Sequence, residues 1–461
     1  MKRVVVIGGG LAGMAAAVAL ESIGGLSITL LEARRRLGGR AGSFQEPQTG
    51  EELDNCQHVL LGCCTNLIDF YRRTGADRLI RFEDAIGFVD GGGRRYELRG
   101  VAGWPAPLHL GPSLARFGAL TIAERAALVR AMVAMMRLGR VGRLGLADVP
   151  FGQWLDEQKQ PASLVEKMYE PILVSALNEE SRRVSSSYAI QVFLDSLLAN
   201  AAGYRLGLPN GPLGKLYESI PCRDVRLGAR VSGVRFCDGA ACGVELQGGE
   251  LLAADAVVLA TNYQNWDKFV PAELASADER FRYLDRLEDV PILGAHLWFD
   301  RPVLRESHAA LMSGPLQWLF RKDEEGKAVH GVISAARAWV NRPREQCLAE
   351  FEQQVRATLP GAAGAKLERG VVVVEKRATF SPVPGVDRYR PAQAPPAGGI
   401  QNLFLAGDYT RTGWPATMEG AVRSGYLAAE FVADSLMPGV KRRFLVDDLP
   451  LEWPARLVGQ W

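Results

Sequence analysis

Three glycines and an acid near the start of the chain are spaced for chemistry with phosphate. Gly8, Gly10 and Gly13 follow the apolar run Val4-Val5-Val6-Ile7 as G-x-G-x-x-G, and Glu32 ends a second apolar run over 26–31. In that spacing the first glycine permits a tight turn, the second lets the backbone approach a pyrophosphate, and the third lets helix and strand pack closely. A helix starting there points unpaired N–H groups and a positive dipole end at the phosphates. A carboxylate about 20 residues further on can hold ribose hydroxyls. The expected chemistry is dinucleotide binding, against the alternative of a glycine-rich turn that holds nothing. A second pair, Asp54 and His58, lies four residues apart, shortly after Gly38-Gly39-Arg40. A desolvated carboxyl keeps its proton, so Asp54 is the candidate acid, with His58 its partner, for protonating a poor leaving group. Alternatively both satisfy backbone groups or the polar edge of a cofactor.

These residues need an α/β scaffold. A strand over 4–7, a small-residue helix over 14–20 and a strand over 26–31 make one βαβ unit. Gly38 and Gly39 before Arg40 suggest a loop lying on phosphate, with Arg40 as a bidentate partner; Arg34, Arg35 and Arg36 read as a solvated basic turn. Residues 254–261 read as another strand, and 402–408 as a buried strand ending in Gly407-Asp408, before a helix that opens over 417–425. With nucleotide motifs at the start, middle and end, the nucleotide domain is discontinuous, over 1–75, 211–263 and 370–438. Residues 76–210 and 264–369 build a second, α+β domain, with strands over 292–299 and 331–334 and a helix over 344–358 behind Pro343. Residues 439–461 form a tail.

A chain of 461 residues is too long for one ordinary core, so two domains are expected. The net charge of +2 gives no field for nucleic acid. No apolar run reaches the ~18 residues of a membrane-spanning helix. Lys2-Arg3 before an apolar stretch imitates a signal peptide, but cleavage would destroy the glycine fingerprint, which points to the cytoplasm. The seven cysteines lack C-x-x-C or metal spacing and read as reduced, mostly buried thiols, and the five histidines show no zinc pattern. No metal site is expected.

The spacing from Glu32 through Gly38-Gly39-Arg40 resembles the flavoprotein amine oxidase and isoprenoid desaturase superfamily, where it accompanies FAD. The Gly407-Asp408 strand end and the helix after Thr417 resemble that superfamily's C-terminal FAD motif. The resemblance implies a Rossmann-like FAD domain in an amine oxidase-like two-domain architecture. It implies that Asp408 reaches the ribityl-pyrophosphate region and that the backbone at Val231 meets adenine. The helix start from Met418 to Ala421 would point at the pyrimidine edge of the flavin, where a reduced flavin carries negative charge. Trp414 and Thr417 match positions facing the flavin ring and would line the substrate cavity; a domain-core aromatic is the other reading of Trp414.

Within the superfamily, residues 53–64 and 171–179, with Gly407-Asp408-Tyr409-Thr410 and Trp414-Pro415-Ala416-Thr417, resemble the hydroxysqualene dehydroxylase family of hopanoid synthesis. The resemblance runs over nearly the whole chain. One departure is Cys56, where the family more often has glycine; a positive φ there would strain a cysteine. The implied reaction is reductive: hydroxysqualene, a long isoprenoid alcohol, loses water with the help of an acid, and hydride from reduced FAD quenches the allylic cation to give squalene. Rivals are a carotenoid-type polyprene desaturase, an amine or protoporphyrinogen oxidase, and a lipid-escort module that does not use FAD. The electron donor is not legible.

A substrate of this size carries on the order of 20 kcal/mol of aversion to water, at about 0.8 kcal/mol per CH₂, so exchange through bulk water is implausibly slow. Peripheral contact with the inner face of the membrane is expected, through the helical stretch 119–144. There Leu120, Ala127, Leu128, Ala131, Met132, Met135, Met136 and Leu138 make an apolar stripe, and Arg125, Arg130, Arg137, Arg140 and Arg143 a basic complement. A surface helix packed on its own domain would show the same pattern.

Overall fold

A computed structural model describes residues 1–439, 442–459 and 461. One half is a five-stranded parallel sheet in the order Asp224–Leu227, Leu26–Glu32, Lys2–Ile7, Ala256–Leu259, Leu403–Leu405. A parallel sheet is covered on both faces, so its strands read as unbroken apolar runs. Val4 and Val6 pack into one core, and Val5 and Ile7 into the other. The helix Leu11–Glu21 is nearly all small residues and is buried from Leu11 to Leu20. It lies against the long helix Met418–Leu436 so closely that a Cβ on Gly425 would stand 2.2 Å from the Ala12 carbonyl oxygen.

A small antiparallel sheet, Val231–Cys237, Ala240–Leu246 and Leu251–Ala253, follows. Cys237 and Cys242 form a disulfide across its first hairpin, which corrects the expectation of seven free thiols. The hairpin brings two cysteines five residues apart face to face, a proximity that spacing rules for metals and redox motifs do not cover. Cys56, Cys63, Cys64, Cys222 and Cys347 are free.

The other half is built on a seven-stranded sheet in the order Leu367–Phe380, Asp289–Phe299, Ala328–Ile333, Trp318–Arg321, His308–Leu311, Ala85–Val89, Arg95–Arg99. Alternate residues of a strand face opposite sides. Leu293, Leu297, Leu319, Val329 and Ile333 pack against Cys347, Phe351 and Val355 of the helix Arg344–Thr358, which begins behind Pro343 as expected. The opposite face carries Ile292, Gly294, His296, Trp318, Phe320, His330 and Val332, and it meets Cys56, Val59 and Leu61.

The helix Ile122–Gly142 corrects one expectation. Leu120, Ala127, Leu128, Ala131, Met135 and Met136 are buried in the protein core, with Met132 and Leu138 packed at its margin. The apolar stripe therefore faces the protein, not a bilayer. Arg140 pairs with Asp195 at 2.9 Å, and Arg143 is buried against Ser187. Among the described residues, no helix is long and apolar enough to cross a membrane.

A capping box starts this helix, with Thr121 and Glu124 bonding each other's backbone N–H. Burial alone would raise the Glu124 pKa. Hydrogen bonds from Ser163 Oγ at 2.6 Å, Thr121 N–H at 2.8 Å and Lys167 Nζ at 3.0 Å outweigh it and hold the group at about 2. A carboxyl depressed by folding stabilises the native state above its unfolded value of about 4.3, and that contribution is lost as pH falls through the folded value. Glu124→Gln is expected to flatten the fall in stability between about pH 4.5 and 2, by on the order of 2 kcal/mol. Urea melts across that window check this; identical pH slopes in parent and variant would contradict it.

Candidate cofactor and active site

The glycine turn is shaped by what cannot fit. Gly8 has φ +112°, and a Cβ there would lie 2.5 Å from the Ala260 carbonyl oxygen; at Gly13 a Cβ would lie 1.9 Å from the Gly8 oxygen. Gly10 differs: a Cβ there would meet only Gly39 Cα, at 4.0 Å. Gly10 also caps the helix without any side-chain bond to its first-turn N–H groups. Gly38 donates to the Gly9 carbonyl at 2.9 Å, so the Gly38-Gly39 turn, with φ of +107° and +59°, lies on Gly9-Gly10. The result is a bare-backbone cradle at an uncapped helix N-terminus, which fits a pyrophosphate.

Glu32 is fixed beside this cradle. Oε2 accepts the Gly9 N–H and Oε1 the Arg34 N–H, both at 2.7 Å. Residues 228–231 cross just beyond, with Gly228 N–H on the Arg34 carbonyl and Ala229 N–H on the Glu32 carbonyl. Glu32 and Val231 thus share one end of the sheet, as a ribose and adenine site requires.

At the far motif, Gly407 donates its N–H to Ser424 Oγ at 2.8 Å. Asp408 Oδ1 takes the Arg40 guanidinium at 2.6 Å, and Arg40 also donates to the Ala378 carbonyl at 2.6 Å. Two residues expected to meet the cofactor therefore meet each other, joining the first and last motifs. Burial opposes the charge on Arg40, but the Asp408 carboxylate outweighs it and raises the pKa further. Thr417 caps the Met418–Leu436 helix, accepting the Gly420 N–H at 3.0 Å, and places Met418 and Ala421 in its first turn. Trp414 is buried under the Arg423 guanidinium, 4.8 Å from the ring centroid.

Sequence reasoning missed what braces this loop. Arg390 is fully buried and donates to the carbonyls of Asp408, Tyr409 and Thr410, to Thr412 Oγ1, to Tyr188 Oη and to Asp387. Glu419 accepts the Leu67 N–H at 2.7 Å and pairs with Arg423 at 2.6 Å, tying the helix Thr65–Thr74 to the flavin-motif helix. The segment 171–179, singled out for its family likeness, is structural at its end. Asn178 bonds Val290 O, Thr379 Oγ1 and Ala335 N–H, and Glu179 takes Arg337 through both oxygens at 2.9 and 2.7 Å.

Asp54 and His58 are not paired. The Asp54 carboxylate receives Ser43 Oγ and Leu213 N–H at 2.8 Å and Lys322 Nζ at 3.0 Å. Three donors converge on it, one of them an ammonium. The partners that Asp54 finds are therefore Ser43, Leu213 and Lys322 rather than His58. His58 places Nδ1 3.0 Å from the Cys56 carbonyl, and burial lowers its pKa. Cys56 is not at a positive φ, so the strain anticipated there is absent; its buried thiol is pushed up to about 12.

Two further histidines join this region. His296 Nε2 lies 3.0 Å from the Asp54 carbonyl, and the His330 ring lies 4.0 Å, centroid to centroid, from that of His296. Asn55 Nδ2 reaches the Arg40 carbonyl at 3.4 Å, so the histidine group borders the FAD motifs. The only sequence signal for it was histidine alternating with apolar residues on two strands, which acquires meaning once the strands are in register.

A model of the flavin containing amine oxidoreductase family matches residues 11–433, and the chain belongs to this family. It is a flavin-dependent oxidoreductase with FAD as its cofactor, and the bare backbone at Gly10 and Gly39, the Arg40 guanidinium and the acceptor carboxylates of Glu32 and Asp408 make a set whose chemistry fits FAD. The chain is 30% identical over 448 residues to the hydroxysqualene dehydroxylase of Rhodopseudomonas palustris, covering 94% of this chain and 98% of that one. It is 25% identical over 500 residues to a zeta-carotene desaturase of Zea mays, covering 97% and 86%. In fold it is similar to cyclohexylamine oxidase from Brevibacterium oxydans, with a TM-score of 0.68 at 18% identity over 94% of this chain and 99% of that one.

Proposed function

We propose that this protein reductively dehydroxylates hydroxysqualene to squalene. The observation that carries the reading is the sheet face beside the FAD motifs: a buried apolar and aromatic layer of Ile292, Trp318, Phe320 and Val332, with Leu206 and Leu208, interrupted by one polar group of His58, His296, His330 and Lys322. That arrangement suits a long hydrocarbon bearing a single polar function. The likeness to the Rhodopseudomonas palustris enzyme supports the same substrate.

Reduced FAD, when bound, supplies hydride to carbon. Glu32, Gly10, Gly39, Arg40 and Asp408 would hold the dinucleotide, with Val231 at the adenine and the first turn of the Met418–Leu436 helix toward the pyrimidine edge. Trp414 and Thr417 would flank the flavin ring. The apolar face excludes water, which would otherwise recapture a carbocation. Lys322 and His58 complete the polar group around His330, and Asp54 positions Lys322.

The test is anaerobic incubation of flavin-loaded protein with hydroxysqualene and a chemical reductant. Squalene should form only when the flavin is reduced. No squalene from a reducible flavoprotein would transfer the reading to a polyprene desaturase, which the zeta-carotene desaturase likeness favours next. Peripheral membrane contact remains part of the proposal, but through different residues from the buried stripe. Ile122, Val129, Val141 and Leu144 are exposed on the helix and the turn after it, as are Trp453 and Leu457 nearer the C-terminus. Liposomes with anionic lipid should pull the parent down at low salt; Trp453→Ser with Leu457→Ser should weaken this about tenfold, and unchanged sedimentation would remove that surface from the proposal.

A further inference from the structure

We propose that the His330 imidazole, held against His296 on the apolar sheet face, is where the hydroxyl of the substrate docks. This rests on the function proposed above and names the residue that recognises the leaving group.

His330 is completely buried, and neither ring nitrogen has a hydrogen-bond partner. Such a ring bears the full desolvation of a donor and an acceptor, and native proteins seldom leave either unpaired. The neighbouring histidines are engaged: His296 with the Asp54 carbonyl at 3.0 Å, His58 with the Cys56 carbonyl at 3.0 Å. His109 also lacks partners, but its neighbours are Tyr204 and Gly100, away from the sheet face.

The ring's position is built. Strand register sets His330 opposite His296, and the ring lies over Gly294, where a Cβ would come 2.7 Å from His330 Nε2. Glycine at 294 makes room for this imidazole. Burial, with His296, Lys322 and His58 around it, holds the His330 pKa well below that of an ordinary histidine. The ring is therefore neutral, with one N–H to give and one lone pair to receive. An alcohol can pair with one of these nitrogens, its oxygen accepting the N–H or its O–H donating to the lone pair. A protonated amine would face the Lys322 ammonium, which already engages the Asp54 carboxylate. Ile292, Trp318, Phe320 and Val332 offer hydrocarbon contact beside the polar point.

The test compares flavin-loaded parent with His330→Phe, His330→Leu and His330→Gln, using hydroxysqualene and squalene in detergent micelles. Affinity is read from the flavin absorbance change and from the shift in thermal midpoint. The parent should prefer the alcohol to the hydrocarbon. His330→Phe and His330→Leu should lose at least about tenfold in alcohol affinity, keep squalene affinity, and melt higher than the parent without ligand, because an unpaired polar ring has gone. His330→Gln, which keeps a donor and an acceptor, should recover part of the preference. Apolar variants that retain the alcohol preference, or that melt lower than the parent, overturn the proposal. A parent that prefers the alcohol yet forms no squalene on reduction refutes the function while leaving the hydroxyl site standing.

Discussion

Gly13→Ala is expected to yield a protein that neither holds flavin nor keeps its parent stability. The added methyl would lie 1.9 Å from the Gly8 carbonyl oxygen and 3.2 Å from Ala260 Cβ. Both contacts belong to the turn and the strand beside it, so neither is the far end of a flexible side chain. The helix must lift from the sheet, an overpacking costing on the order of 1–3 kcal/mol, and the N–H groups that would meet the pyrophosphate lift with it. Gly10→Ala supplies the contrast, because its methyl meets only Gly39 Cα at 4.0 Å. That variant should fold with the parent's apoprotein midpoint yet lose flavin at least about tenfold, if the free space over Gly10 receives the phosphates as proposed. The flavin-to-protein absorbance ratio and apoprotein melting read the two effects separately. Normal flavin content in Gly10→Ala would mean that the pyrophosphate lies elsewhere.

Arg390→Met should be comparably damaging through a different route. The guanidinium is the shared donor for three successive carbonyls, of Asp408, Tyr409 and Thr410. Methionine fills much of the volume but leaves those oxygens buried and unpaired, at a cost on the order of 4 kcal/mol. The thermal midpoint should fall by roughly 4 °C, and flavin should be lost because Asp408 sits on the freed loop. Arg390→Lys should rescue little, since a single ammonium cannot reproduce the planar fork. Melting and flavin content within error of the parent would show that the loop is held by other contacts.

These cases mark where sequence reasoning reaches. Gly8, Gly13 and Gly39 are legible because a backbone conformation and a close approach are local demands that only glycine meets. The parallel strands are legible because burial on both faces leaves unbroken runs such as Val4-Val5-Val6-Ile7. Arg390 is not legible: its acceptors at 188, 387 and 408–412 converge only in the fold. The 122–142 helix shows a second limit. Periodicity reveals that Leu128, Ala131 and Met135 share a face, but not whether protein or lipid covers it. Asp54 shows a third. Its neighbours along the chain suggest His58 as its partner, whereas Lys322, 268 residues away, takes that place at 3.0 Å. The His296–His330 pair depends on register between strands and escapes any reading of one strand alone.

The ion pair between Arg40 and Asp408 spans 368 residues, and the strand Leu403–Leu405 completes the edge of the parallel sheet. At a synthesis rate of roughly 5–20 residues per second, the glycine turn waits about 20–70 s for its partner to leave the ribosome. The Ala256–Leu259 strand presents an open apolar edge for part of that interval, so the nascent chain is exposed to aggregation and to chaperones before it can carry flavin. Prematurely terminated chains that stop short of Asp408 lack the partner of Arg40, and yellow colour in a preparation is then expected to count finished molecules.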